Sequence, residues 1–215
     1  MREKGKTSKK WRWSLLALTV GVLLTACQPK PYEGPKGAKR VGMVGDSITA
    51  FSSTQLESAL AKKYRRSVNG VPGIDLADAL PQLVLPTVAT KPDVLVIELG
   101  INSARESWDS KDLPYLEATL KAADTVPCTL WVTPTALEPS YYDHLGTGTI
   151  KSRIDAMKAS LVKRLLKHPT VHLADWGAVE GQHPEWFDAD HLHPSAAGKT
   201  AYASWLVEQV GALCG

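Results

Sequence analysis

From Arg40 onward, short apolar runs alternate with longer stretches in which apolar side chains recur every three or four positions. The short runs Arg40–Val44, Ser67–Asn69, Val94–Leu99, Thr129–Thr133 and Val171–Ala174 predict strands. The longer ones, Ser52–Tyr64, Asp75–Leu83, Leu113–Ala123, Thr149–Leu166 and Ala196–Leu213, predict helices. In Thr149–Leu166 the stripe Ile150, Ile154, Met157, Leu161, Leu165 and Leu166 faces one way while Lys151, Arg153, Lys158, Lys163 and Arg164 face the other, so this helix packs through one side only. Strands separated by helices need crossover connections, which implies a parallel sheet with helices on both faces: an α/β fold in three layers, α/β/α, around five strands. Val94–Leu99 is apolar throughout except for Glu98, as befits a strand covered on both sides. One connection, Pro134–Gly148, is long and irregular, a feature that compact domains reserve for functional loops.

The N-terminus has another pattern. Arg2, Lys4, Lys6, Lys9, Lys10 and Arg12 precede an uncharged apolar run from Leu15 to Ala26, which reads as a signal peptide over residues 1–26. About a dozen apolar residues fall short of the roughly 20 that a helix needs to cross a bilayer. The run closes on Leu24-Thr25-Ala26-Cys27, which resembles the lipobox of bacterial lipoproteins and implies acylation of Cys27. Residues 27–39, rich in Pro, Gly and Lys, read as a flexible tether, and residues 40–215 as the folded domain. The expected location is extracytoplasmic, with a lipid anchor as the link to the cell membrane and the domain itself a monomer.

These segments change the reading of charge and of cysteines. The formal net charge is +3, but six of the 25 basic and one of the 22 acidic residues precede Cys27, leaving a slightly acidic remainder of net −2. No basic stripe is left to neutralise a phosphate backbone, so nucleic acid is excluded as a partner. With Cys27 set aside, Cys128 and Cys214 form an even pair in an oxidising compartment, and a disulfide between them is expected if the fold brings their Cα atoms within bonding range.

Candidate chemistry gathers where predicted strands end. Val41–Val44 stops at Gly45-Asp46-Ser47, which sets a serine at the carboxyl edge of a parallel sheet, where such sheets bind ligands. A serine hydroxyl needs a base, an acid to orient the base, and donors for an oxyanion. Asp188-Ala189-Asp190-His191-Leu192-His193-Pro194, before the last helix, offers two overlapping Asp-x-x-His pairs. Donor candidates are Gly73 in Asn69-Gly70-Val71-Pro72-Gly73 and Asn102 in Gly100-Ile101-Asn102-Ser103. Gly70 competes with Gly73, because Asn69-Gly70 is itself a turn dipeptide, while Gly73 has the advantage of preceding a helix.

Taken together and in this order, the four blocks resemble the SGNH (GDSL-type) serine hydrolase family over Arg40–Leu213. The resemblance implies a flavodoxin-like fold, Ser47 as nucleophile, His193 as general base, Asp190 as its orienting acid, and an oxyanion site from Ser47, Gly73 and Asn102. It selects His193 over His191 because the family's Asp-x-x-His is followed by proline and then glycine, here Pro194 and Gly198. Ser103 departs from the family, whose third block usually ends Gly-x-Asn-Asp.

The implied activity is a serine esterase that hydrolyses or transfers O-acyl esters through an acyl-enzyme, with an acylated glycan or small ester as substrate. Similar domains act on acyl groups of cell-envelope polysaccharides, some as partners of membrane acyltransferases. The alternative is a glycan-binding lipoprotein that keeps the fold without catalysis. Tyr141 and Tyr142, in the long loop, are candidates to stack on a sugar, and Trp176 and Trp186 flank the approach to the last block unless they belong to the core. His183, Asp188, Asp190, His191 and His193 lie within eleven residues and could in principle hold zinc, but that would leave Ser47 and Asn102 idle. No metal or other cofactor is expected.

Overall fold

A computed structural model describes residues 28–145 and 149–215. The expected signal peptide and Cys27 lie outside the described residues. Five parallel strands, β1 (Arg40–Gly45), β2 (Arg65–Gly70), β3 (Val94–Glu98), β4 (Thr129–Val132) and β5 (Val171–Ala174), form one sheet in the order β2-β1-β3-β4-β5. The order reverses at β1, so the crevice at the carboxyl ends of β1 and β3 is the topological switch point of an open parallel sheet.

The pleat divides the core. Val94 and Val96 of β3, Leu130 and Val132 of β4, and Val41 and Met43 of β1 face helices α1 (Ser47–Leu60) and α8 (Ala196–Cys214). Val44, Leu95, Ile97 and Trp131 face the opposite layer, built from α5 (Leu113–Ala123) and the helical stretch Leu76–Ala89. Each Leu or Ile sealed in these layers contributes roughly 1.5–3 kcal/mol relative to exposure. The helix α6 (Ile150–Leu165) buries Ile150, Ile154, Met157 and Leu161, the stripe expected of it, although Leu166 is exposed.

Four local differences from the sequence reading have physical causes. Helix α1 begins at Ser47, five residues before the expected Ser52, because the Asp46 side chain caps Ile48 N–H and Glu98, from another strand, accepts from Thr49 N–H. The second helix does not stop at Leu83. It runs as α2 (Leu76–Ala79), a π turn (Leu80–Val84) and α3 (Leu85–Ala89), with Pro81 and Pro86 removing the N–H groups a regular α-helix would use. Two short helices, α4 (Ile101–Glu106) and α7 (Trp176–Glu180), fill segments read as loop.

The last difference concerns residues 28–39, expected to be a tether. Lys30 N–H donates to Asn69 Oδ1, Ser67 Oγ donates to the Lys30 carbonyl at 2.6 Å, and Glu33 pairs antiparallel with Arg66 on the edge strand β2. The segment is laid along the sheet edge. At the sheet's amino end a disulfide joins Cys128, just before β4, to Cys214 at the end of α8, with Cα atoms 5.8 Å apart.

Candidate active site

The end of β1 delivers Ser47 to the first turn of α1, and the loop before α8 delivers His193 to meet it. Ser47 Oγ donates to His193 Nε2 at 2.9 Å, across 146 residues of sequence. His193 Nδ1–H donates in turn to Asp190 Oδ2 at 2.6 Å. Asp190 Oδ1 accepts from the backbone N–H groups of Leu192 and His193, at 3.0 and 2.9 Å. Against the upward pull of partial burial, these bonds hold the Asp190 carboxyl below its ordinary range, so it is a carboxylate at neutral pH. An ionised Asp190 fixes the imidazole with hydrogen on Nδ1 and a lone pair on Nε2 facing the serine.

The rival register is built differently. His191 takes a left-handed conformation (φ 59°), and its Nδ1–H donates to the Pro139 carbonyl at 2.7 Å. Asp188 contributes backbone groups only: its N–H donates to the His193 carbonyl and its carbonyl accepts from His191 N–H. The long loop after β4 buttresses this segment, since Leu137 N–H donates to the His191 carbonyl, while Tyr141 N–H and Ser140 Oγ both donate to the Asp190 carbonyl. Residues 146–148 of that loop lie outside the described residues.

Asn102 and Gly73 meet at the same edge. Asn102, buried on α4, donates one Nδ2 hydrogen to the Ile74 carbonyl at 3.0 Å, and its other hydrogen has no acceptor among the described residues. Gly73 stands at φ +79° with open space on the side where a Cβ would point, as a residue facing a cleft would. Gly70 is a glycine for another reason: a Cβ there would lie 2.4 Å from Ala50 N, so it is a packing contact between β2 and α1. Ser103, in the family's acidic position, accepts from Leu76 N–H at 3.2 Å and ties α4 to the start of α2.

Around His193 the rim is aromatic. The Phe51 ring, 48% exposed and one turn beyond Ser47 on α1, lies 5.1 Å from the imidazole, and Tyr142 lies 6.2 Å away edge-on. Arg105 stacks over Tyr142 at 5.5 Å. Tyr141 touches Tyr142 but turns outward, 67% exposed. Phe51 and Arg105 were not among the sequence candidates. The signal for Phe51 was its i, i+4 spacing from Ser47, whereas Arg105 lay in a segment read as loop. Trp176 belongs to the core: it is buried, stacked on Trp186 at 5.5 Å and packed against Tyr202 and Trp205.

The GDSL-like lipase/acylhydrolase family matches residues 43–201. No curated protein matches the chain in sequence. Solved structures do: a lipase/acylhydrolase from Enterococcus faecalis (20% identity, 81% of this chain and 96% of that one, TM-score 0.66). So does the C-terminal catalytic domain of peptidoglycan O-acetyltransferase A from Streptococcus pneumoniae (20%, 82% and 94%, TM-score 0.63). A third is a tryptophan-to-isoleucine variant of Axe2, an acetyl xylan esterase from Geobacillus stearothermophilus (20%, 83% and 96%, TM-score 0.60).

Proposed function

This chain belongs to the GDSL-like lipase/acylhydrolase family, as an ester-hydrolysing enzyme, and from that premise we propose that Ser47, His193 and Asp190 carry its chemistry through an acyl-enzyme. The observation that carries the reading is the continuous hydrogen-bonded chain from Ser47 Oγ through both imidazole nitrogens to Asp190. As Ser47 Oγ attacks the ester carbonyl, its proton passes to His193 Nε2, and Asp190 stabilises the imidazolium that forms. The imidazolium then gives that proton to the departing alkoxide. Water, deprotonated by the same nitrogen, releases the acid and restores the serine.

Charge on the carbonyl oxygen needs donors already in place. Ile48 and Thr49 N–H are engaged by Asp46 and Glu98, while Ser47 N–H and Gly73 N–H have no acceptor among the described residues. These two and the second Asn102 hydrogen are the proposed oxyanion site.

For substrate, the reading is acetyl-type O-acyl groups on cell-envelope glycans. Two structural neighbours support it, one the catalytic domain of a peptidoglycan O-acetyltransferase and one a variant of an acetyl xylan esterase. The rim supports it too, because exposed Phe51 and Tyr141 and half-buried Tyr142 offer sugar-stacking faces beside His193. Transfer to a glycan hydroxyl in place of water is the second reading, favoured by the same acetyltransferase neighbour. The deciding experiment is turnover of 4-nitrophenyl acetate and of O-acetylated glycans by wild type and Ser47→Ala, with free acetate and acylated acceptor quantified. Ser47→Ala should lose several orders of magnitude in kcat, and retention of more than about one per cent would remove Ser47 from the role.

A lipid on Cys27 would hold this site at the membrane. Lys30 is already pinned to β2, so only about three residues, roughly 10 Å of chain, separate the anchor from the folded surface. Cys27→Ser should leave turnover unchanged and release the protein from the membrane fraction; a variant that stays membrane-bound after a high-salt wash would show another anchor.

A further inference from the structure

Two acids that no catalytic step employs lie behind the nucleophile. Asp46 follows β1 and Glu98 closes β3, where the parallel register sets Gly45 opposite Glu98. Both are fully buried. Between them they hold the first turn of α1: Asp46 Oδ1 accepts from Ile48 N–H at 3.0 Å, and Glu98 Oε2 accepts from Thr49 N–H at 3.2 Å and Thr49 Oγ1–H at 2.9 Å. Each carboxyl lies in the other's field, and Asp46 Oδ2 and Glu98 Oε1 are both buried without a hydrogen-bond partner among the described residues. Two carboxylates have no hydrogen to place between them, and burying both charges in contact would add like-charge repulsion to the loss of hydration.

We propose that Asp46 and Glu98 share one proton, carried by Glu98 and donated to Asp46, and that this acid–carboxylate pair is the positioning device that keeps Ser47 aimed at His193. Neither acid touches substrate. The charge belongs on Asp46 because it caps the N-terminus of α1 and lies within the field of Arg105 and, whenever its imidazole is protonated, of His193. Glu98 is faced by Asp46 and by Thr49, and the buried Tyr202 of α8 lies in the field of Glu98, Asp46 and Glu180. Burial first, and then the neighbouring Asp46 charge, push the Glu98 carboxyl well above its ordinary value of 4.5.

The linkage has a definite sign. The folded state holds a proton that the unfolded chain releases near pH 4.5, so this contribution to stability is complete below that pH and is lost as pH rises through the raised value. The nucleophile's turn is where the loss is felt.

Glu98→Gln tests the pair, because its amide donates to Asp46 permanently while its oxygen still accepts from Thr49. The variant should keep kcat for 4-nitrophenyl acetate within about threefold at pH 7 and flatten the fall in Tm as pH rises above 4.5. Its infrared difference spectrum against wild type should lack one protonated-carboxyl C=O band, and the Glu180 band should remain in both. Asp46→Asn donates from the other side and should flatten Tm equally if Glu98→Gln does not fold. Glu98→Leu should lower kcat more than tenfold with KM unchanged. An unchanged slope of Tm against pH with no carboxyl band lost would overturn the proposal. The kcat arms rest on Ser47 as nucleophile, whereas the thermal and infrared arms need no turnover, so failure of one reading is distinguishable from failure of the other.

Discussion

Asp46 and Asp190 stand on either side of the same Ser47–His193 hydrogen bond, one beside the nucleophile in sequence and the other three residues before the base, and their surroundings drive them apart. Asp190 is partly exposed and takes two backbone N–H groups and an imidazole N–H, so its carboxyl is held below its ordinary range. Asp46 is sealed against a second acid, and burial pushes it up. In the roles proposed, one residue type supplies a fixed charge that can stabilise an imidazolium and, on the other side of the serine, half of a buried clamp. Environment decides between the two roles, through hydration and donor count.

The sharpest way to break this comparison is at the base itself. His193→Ala should reduce kcat by at least about 10³-fold, as loss of a triad base does, while His191→Ala should stay within a few-fold, because its Nδ1 only braces the Pro139 carbonyl. Steady-state kinetics on an acetate ester checks both, and the reverse ranking would shift the site by two residues. The two aspartates come next. Asp190→Asn removes the acceptor that sets the imidazole tautomer and should cost about 10³–10⁴-fold in kcat. Asp46→Asn keeps the cap on Ile48 and gives Glu98 a donor, so it should stay within about tenfold. Equal losses would show that position beside the serine, and not the state of ionisation, is what matters.

The smallest effect on activity is expected at the opposite end of the sheet. The Cys128–Cys214 disulfide closes a loop with a sequence separation of 86 residues and contributes on the order of 4 kcal/mol in the chain-entropy account. Replacing both cysteines by serine should lower Tm by about 10 °C and leave kcat at 25 °C unchanged, as thermal unfolding and the same assay would register. A loss of kcat in the still-folded variant would mean that the amino and carboxyl ends of the sheet are coupled.

Most of the strands and long helices could be read from the chain, because their apolar periodicity is a local property that the pleat and the helical repeat impose directly. Val94, Val96 and Leu130, Val132 alternate with Leu95, Ile97 and Trp131 between two layers as such a pattern requires. The four blocks that carry Ser47, Gly73, Asn102 and Asp190-His193 were legible because each sits at a strand end or a helix start. Proximity in space was not. The start of α1 at Ser47 depends on Glu98 reaching over from β3, and a tertiary cap has no sequence signature. The docking of residues 28–39 depends on an open edge of β2 that exists only once the sheet is ordered.

The sequence by itself therefore determined which residue types stand at the carboxyl edge of the sheet, and with them the class of chemistry. Only the tertiary structure decided how Ser47 and His193 come within hydrogen-bonding distance, that Gly70 serves packing while Gly73 borders open space, and that Glu98, a lone acid in an apolar strand, is buried beside the turn that Asp46 caps. The physical reason is that periodicity and turn chemistry act over a few residues, whereas a hydrogen bond between Ser47 and His193 or the burial of two acids around one helical turn depends on strand order and register, which no local stretch of the chain encodes.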